Sequence, residues 1–509
     1  MIGVTGQKTD TWALGALVVL IVAALAFGAA KTDALPVILL ALAVVAVLVH
    51  SAVTGWAPAW VWMWVLSFGI LDRWFWVWEL PGFFNLSIPR ILFVATLTAF
   101  FVHFLVRRQR VRLDRAVFGV MAVLLVYVAL SATMAGWVGR VQDVRSAPYY
   151  RFFAAMLFPF LAFFLTYNTC RPERQIRWAL VAVAIYGVYA LFISYCQASS
   201  LLGGPHLRWL IWPKYINSAH MQGLIHFDRA RGAFPAAGPQ AVLLVFLFYT
   251  DLYLIRRTRG PVKVALAIQA VLTLPALVFT GVRAGYVAFA VCGIIWCLWA
   301  ARGRFGWTKL SLAALTIVLA ILMRWSHVTG TQRLLGGVGQ RKPIAARGLL
   351  LRQSLRIVAD KPLFGVGFGH FVEAQRQLSQ DPALIAIYGT GALLQHNIFL
   401  NMGVETGLIG LGIYVALFVL LFRASLRAWR RIPPDADGYA SRAFVVLFWV
   451  MLANYLTTGM FRDMLWDPFS NALLWSLAGL TVGLASRASP ALADAAGPAG
   501  EIRPPGGSA

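Results

Sequence analysis

Residues 361–371 read KPLFGVGFGHF, and residues 393–411 read LLQHNIFLNMGVETGLIGL. The second stretch decides the fold. At Asn397 a polar interval gives way to an apolar run that continues to Leu421 with Glu405 as its only charge. A run of that length can cross a bilayer as a helix, which takes about 20 residues. Similar runs fill the chain on both sides. Hydropathy gives fourteen candidate spans, near 12–30, 33–53, 56–72, 90–106, 116–134, 150–167, 176–196, 236–254, 262–280, 284–300, 307–323, 397–421, 443–460 and 468–485. The span at 56–72 is the least regular, because the tryptophans from Trp56 to Trp78 favour the membrane interface and predict that part of it lies flat. The expected fold is therefore an all-α polytopic integral membrane protein of about 12–14 transmembrane helices, with a large outer loop before the last three.

Composition agrees. The 509 residues are 60% hydrophobic and 12% charged, with a mean hydropathy of +0.74. A soluble protein of this length cannot hide so much apolar surface. The net charge of +25 is spread over the loops between runs, so it reads as an orientation signal and not as a nucleic-acid surface. The first run is followed directly by another, which reads as a signal anchor and not a cleaved leader. Cys170, Cys196, Cys292 and Cys297 lie in or beside spans and read as small packing residues.

Lysine and arginine set the orientation. Arg107-Arg108-Gln109-Arg110, Arg256-Arg257 and Arg430-Arg431 all fall on one side, predicted to be cytoplasmic, and an even number of spans puts both termini there. The chain then divides into N-terminal transmembrane helices (1–196), a basic loop (197–235), further helices (236–323), a large outer loop (324–396), C-terminal helices (397–485) and a cytoplasmic tail (486–509) whose Pro, Gly, Ala and Ser predict disorder. Both long loops face outward. Residues 324–396 hold nine Lys and Arg against Asp360, Glu373 and Asp381, and residues 197–235 hold four against Asp228. Outward basic residues oppose the usual insertion preference, and binding an anion is one reason to keep them there.

Several residues could carry chemistry. Arg283, in Thr280-Gly281-Val282-Arg283-Ala284-Gly285, sits between two spans with almost no loop. Two readings stand: a planar fork for phosphate oxygens, or a side chain snorkelling to headgroups. The same pair of readings applies to Arg229 and Arg231, just before a Gly/Pro bend. Arg347, Arg352 and Arg356 belong to a stretch, 346–359, that reads as an amphipathic helix on the outer leaflet. Gly365-Val366-Gly367-Phe368-Gly369 reads as a tight turn presenting backbone amides, since no strand precedes it as a nucleotide loop would require. His396 enters the span at the membrane edge, where an imidazole can take a proton near neutral pH or simply cap the helix. Glu405, nine residues on, would face away from it on an unbroken helix and is expected to bond a neighbouring helix. His206, His220, His226 and His370 show no metal-ligand spacing.

These segments together resemble the O-antigen ligase superfamily, whose members are lipopolysaccharide O-antigen ligases, Wzy-type polymerases and protein O-oligosaccharyltransferases. The family's histidine motif, followed nine residues later by Gly-x-x-Gly, matches His396-Asn397, Ile398 to Thr406, and Gly407-Leu408-Ile409-Gly410. Its arginine, short helix and Pro-Leu-Phe-Gly-Val-Gly-x-Gly-x-Phe segment resemble Arg347 to Phe371, with Leu351 where the family often has tryptophan. Its two outer arginine segments resemble Arg231-Gly232-Ala233-Phe234-Pro235 and Thr280 to Gly285. The likeness covers about residues 225–480. It implies a metal-independent inverting glycosyltransferase in the bacterial inner membrane with a periplasmic site and no cofactor. The donor it implies is a glycan on undecaprenyl pyrophosphate, and the acceptor a polysaccharide or lipid A core. His396 would be the base, with Arg283, Arg231 and Arg347 on the pyrophosphate. Arg229, Gly365, Gly367 and Asn397 are secondary candidates. Protein O-glycosylation, a lipid-linked oligosaccharide flippase or transporter, and a structural subunit of an export complex are the alternatives.

Overall fold

The computed structural model of the chain describes residues 59–70, 77–78, 86–107, 111–134, 148–168, 172–199, 207–217, 229–300, 341–378 and 395–495. The runs at 12–30, 33–53 and 307–323, and with them the signal-anchor reading, lie outside these residues, as do Cys170, His206, His220 and His226.

The described chain is built of helices: α1 (Ala59–Ile70), α2 (Ile88–Arg107), α3 (Arg115–Met134), α4 (Pro148–Tyr167), α5 (Pro172–Ala198), α6 (Ala237–Ile255), α7 (Gly260–Phe279), α8 (Arg283–Ala300), α9 (Arg341–Asp360), α10 (Phe371–Leu378), α11 (Ile398–Arg431), α12 (Arg442–Gly459) and α13 (Pro468–Ala495). A two-residue antiparallel pair, Val77–Trp78 with Leu86–Ser87, precedes α2. Eight helices, α3 to α7 and α11 to α13, are long and apolar enough to cross a membrane, and α2 and α8 hold shorter apolar segments. The chain is a multi-pass membrane protein.

α6 and α13 form the centre. Almost every side chain of α6 is buried, and α13 is buried along its length to Ala485. Gly479 and Gly483 explain how α13 lies so close to α4. A Cβ at Gly479 would collide with Thr166 and the Phe163 carbonyl, and one at Gly483 would come within 2.9 Å of the Tyr167 carbonyl. Small residues four apart let two membrane helices meet backbone to backbone. Polar side chains add links between spans: Gln240 Nε2 donates to Ser194 Oγ (2.9 Å), Gln269 Nε2 to the Ala184 carbonyl (2.8 Å) and Asn454 Nδ2 to the Val242 carbonyl (2.9 Å). On the outside, α3, α5 and α7 expose Val123, Val126, Ile185, Val188, Val264 and Val271, an apolar rim suited to lipid.

One expectation changes, that of the tail. In the tryptophan-rich stretch, Trp60, Trp62 and Trp64 of α1 are buried inside the protein, and Trp64 packs on Phe93 at 5.0 Å between centroids. The tail from Ser486 was expected disordered, yet α13 continues to Ala495, through an alanine-rich stretch that favours helix.

Candidate functional site

The starts of α4, α6, α8, α11 and α13 and the ends of α3, α5, α7 and α12 gather at one end of the bundle, the site end. Its first feature is a break in α11. Gly407 has φ 69° and ψ −175°, so the helix stops there and restarts. A break strands main-chain groups that lipid cannot satisfy. The glycine turn after α9 satisfies them. The Val366 and Gly367 amides donate to the carbonyls of Val404 (3.0 Å) and Glu405 (2.9 Å), while the Leu408 and Ile409 amides donate to the carbonyls of Pro362 (2.8 Å) and Leu363 (3.4 Å). The Tyr127 hydroxyl donates to the Thr406 carbonyl at 2.7 Å. Gly407 has to be glycine, because a Cβ would run into the Leu363 carbonyl. The two glycine motifs are thus two halves of one backbone joint.

This joint corrects the reading of Gly365 and Gly367. The turn was expected to present its amides. Those of Val366 and Gly367 are bonded to α11 and that of Phe368 to Ser131 Oγ at 3.0 Å, so the turn serves to fix α9 and α10 against α11.

Above the joint stands His396, exposed at the head of α11. Asn397 is the N-cap of that helix: its Oδ1 accepts from the amides of Phe399 (2.9 Å) and Leu400 (3.0 Å). Its Nδ2 donates to the Met460 carbonyl at 3.2 Å. On the other side Gln395 is buried, with its Nε2 donating to Ser354 Oγ of α9 and its Oε1 accepting from the His396 amide at 2.8 Å. His396 is thereby held between α9 and the turn that links α12 to α13. Arg347 is exposed on α9, seven residues before Ser354, which places it on the same face about 10 Å along the axis. Arg352 and Arg356 are exposed too, while Leu350, Gln353, Ser354 and Ile357 form the buried face.

The two upstream arginine segments pack on each other. The Ala230 amide donates to the Phe279 carbonyl (3.1 Å) and Arg229 Nη1 to the Gly281 carbonyl (3.4 Å). Arg283, half-buried, is the first residue of α8, two residues after that contact. Arg231 is different. It is fully buried, its Nη1 donating to the Phe234 carbonyl at 2.8 Å and its Nη2 to the Ile216 carbonyl. Burial, and then the nearby Arg208 charge, push its pKa below the usual guanidinium value. These bonds tie residues 229–236 to the 3-10 turn at Lys214–Asn217.

Sequence reasoning missed the centre of this end. Arg151, in the first turn of α4, is 2% exposed and forms ion pairs with Glu405 of α11 and with Asp463 (3.4 Å) in the turn between α12 and α13. Its guanidinium carbon also lies 4.9 Å from the Phe368 ring and 4.7 Å from that of Trp466. Asn401 Nδ2 donates to the same Asp463 oxygen at 2.9 Å. Glu405 does bond a neighbouring helix, as its position predicted. Burial raises the Asp463 carboxyl above its ordinary value, against the pull of Arg151 and with the push of Glu405. Next to it, Arg462 lies over Gly238 at the start of α6, where a side chain would leave it no room, and its buried Nη1 has no hydrogen-bond partner among the described residues. The one available signal was an ionisable residue inside an apolar run.

The turn from Met460 to Asp467 therefore touches both His396's helix and the start of α6, below the Arg229–Phe234 loop. The site end of a membrane bundle, carrying an exposed histidine and several arginines, is a setting for chemistry on an anionic substrate at the membrane edge. Residues 268–415 match the family model Wzy_C, described as O-antigen ligase, which supports the resemblance of this segment to the O-antigen ligase superfamily. The match covers under a third of the chain. It includes Arg283, Arg347, the backbone joint and His396, and it leaves out Arg151, Arg231 and the Met460–Asp467 turn. No curated protein matches the chain significantly.

Proposed function

We propose that this protein is a metal-independent inverting glycosyltransferase of surface polysaccharide biosynthesis, an O-antigen ligase or a Wzy-type polymerase. It works at the periplasmic face of the bacterial inner membrane, with both termini in the cytoplasm. Its donor is a glycan on undecaprenyl pyrophosphate. The acceptor hydroxyl oxygen attacks the anomeric carbon, the bond from that carbon to the pyrophosphate oxygen breaks, and undecaprenyl pyrophosphate leaves. His396 takes the hydroxyl proton as the new bond forms. Direct displacement inverts the anomeric centre. The leaving group gains charge, and fixed guanidiniums stabilise it: Arg283 and Arg347 in contact, with Arg229 beside them and Arg231 holding the loop. The observation that supports this most is the exposed His396, clamped by Gln395 and Asn397 at the same end as Arg283 and within the segment matched to O-antigen ligases.

The test is complementation of a strain deleted for the gene with wild type, His396→Ala and Arg283→Ala, each checked for its level in the membrane. Both variants are expected to lose long or transferred glycan and to accumulate lipid-linked glycan outside. A ladder collapsed to one repeat unit identifies a polymerase; intact polymer stranded on its lipid identifies a ligase. Full activity of His396→Ala would remove the base assignment, and accumulation on the cytoplasmic side would replace the transferase with a flippase.

A further inference from the structure

Four separate segments meet on Arg151: α4 itself, the glycine turn through Phe368, α11 through Glu405, and the closing turn through Asp463 and Trp466. We propose that Arg151 is a positioning residue for glycan transfer, fixing the attitude of the first turns of α11 and with them the place of His396. The proposal rests on the transferase reading above.

The break at Gly407 gives such a device a purpose. Because the backbone turns there, the long span below does not set the direction of residues 398–406. What does is the set of contacts that this short piece makes. Its last turn is bonded through main-chain carbonyls to Val366, Gly367 and Tyr127. By side chains, Glu405 is held by Arg151, Asn401 by Asp463, and Asn397 by the Met460 carbonyl. Asp463 and Met460 both lie on the Met460–Asp467 turn, and Arg151 ties that turn to Glu405. His396 is the residue next to Asn397, so a tilt of this piece displaces the imidazole directly. A guanidinium is suited to this position because it is planar, reaches two carboxylates at once, and can stack both faces on rings. An ammonium offers one point charge and no flat face. Arg151 also lies outside the family-matched segment, so the first half of the chain takes part in the site.

The experiment uses full-length protein in membranes, with the lipid-linked glycan extracted from the deletion strain as the titrated donor. Arg151→Lys, Arg151→Gln, the double variant Arg151→Gln/Glu405→Gln and His396→Ala are compared with wild type. A displacement of about 1 Å at a reacting group costs on the order of 100-fold in rate. Arg151→Lys should therefore reach wild-type levels with a kcat lower by about 100-fold and a KM for the donor within about threefold. Arg151→Gln should accumulate poorly, since it leaves carboxylates buried without their cation. The double variant should regain part of that membrane level, because Glu405 no longer carries a buried charge, while turnover stays low. If the double variant regains level and turnover together, or Arg151→Lys turns over as wild type while His396→Ala is dead, the positioning role is overturned. Should Arg151→Lys fail to accumulate, the double variant decides. An active His396→Ala removes instead the base assignment on which the proposal rests.

Discussion

α11 takes part in an arginine–carboxylate pair at each of its ends, and the two pairs have little else in common. Near its start, Glu405 meets Arg151 with the two side chains 0% and 2% exposed. Near its finish, Arg427 Nη2 meets Asp114 Oδ2 at 3.0 Å, with the arginine 51% exposed. The outer pair sits in solvent or headgroups, where such contacts contribute about 0.2–1 kcal/mol. The inner pair is costly to desolvate and costlier to break, at about 3–5 kcal/mol when one partner goes. Its surroundings differ too. Around Arg427 the helix is regular; around Glu405 it is broken, capped and bonded to a foreign turn. Where the backbone leaves its regular path, buried charge is used to say where it goes next.

Three comparisons can break or sharpen that contrast. The largest effect should come from Gly407→Ala, which forces a Cβ into the Leu363 carbonyl at a positive φ. A cost of about 3 kcal/mol or more is expected, read as a lower melting temperature of the detergent-solubilised protein. Gly412→Ala, with open space around it in the regular part of α11, should stay within about 1 kcal/mol of wild type. Equal behaviour of the two would mean that the break is no constraint.

Asp463→Asn should have a middling effect, visible in its pH dependence. Burial raises the Asp463 carboxyl, so the folded protein keeps a proton that the unfolded chain gives up. That contribution is fully present below the ordinary carboxylate value and fades as pH rises through the folded one. The variant should show a shallower loss of melting temperature between mildly acidic and mildly alkaline pH, not a flat one, because the neighbouring Asp467 is raised as well. Parallel curves would remove Asp463 from the account.

The smallest effect belongs to Arg427→Gln, expected within about 1 kcal/mol and smaller still in high salt. A cost matching that of the buried pair would erase the difference between the two ends.

Much of this was legible in the sequence. Apolar runs gave the spans from α3 to α8 and from α11 to α13, and the 346–359 stretch gave α9, because both signals are local and periodic. Glu405 was rightly sent to a neighbouring helix. Its partner was not legible, since Arg151 lies 254 residues earlier in a run that hydropathy scored as ordinary. The Met460–Asp467 turn looked like a plain connection between two spans, although two acids and an arginine stand in it. Gly365 and Gly367 were read for their amides, and only the fold reveals that α11 takes the turn's donors. Periodicity reports which face of a helix is apolar; it says nothing about which distant helix supplies the one matching charge.

The Arg151 cluster also imposes an order on the making of the protein. A ribosome adds about 5–20 residues each second, so Glu405 follows Arg151 after roughly 13–51 s and Asp463 later still. Throughout that interval α4 is already synthesised and its arginine has neither carboxylate to meet. α4 can settle against α13 only when that helix has been made, so the first half of this contact waits for its second.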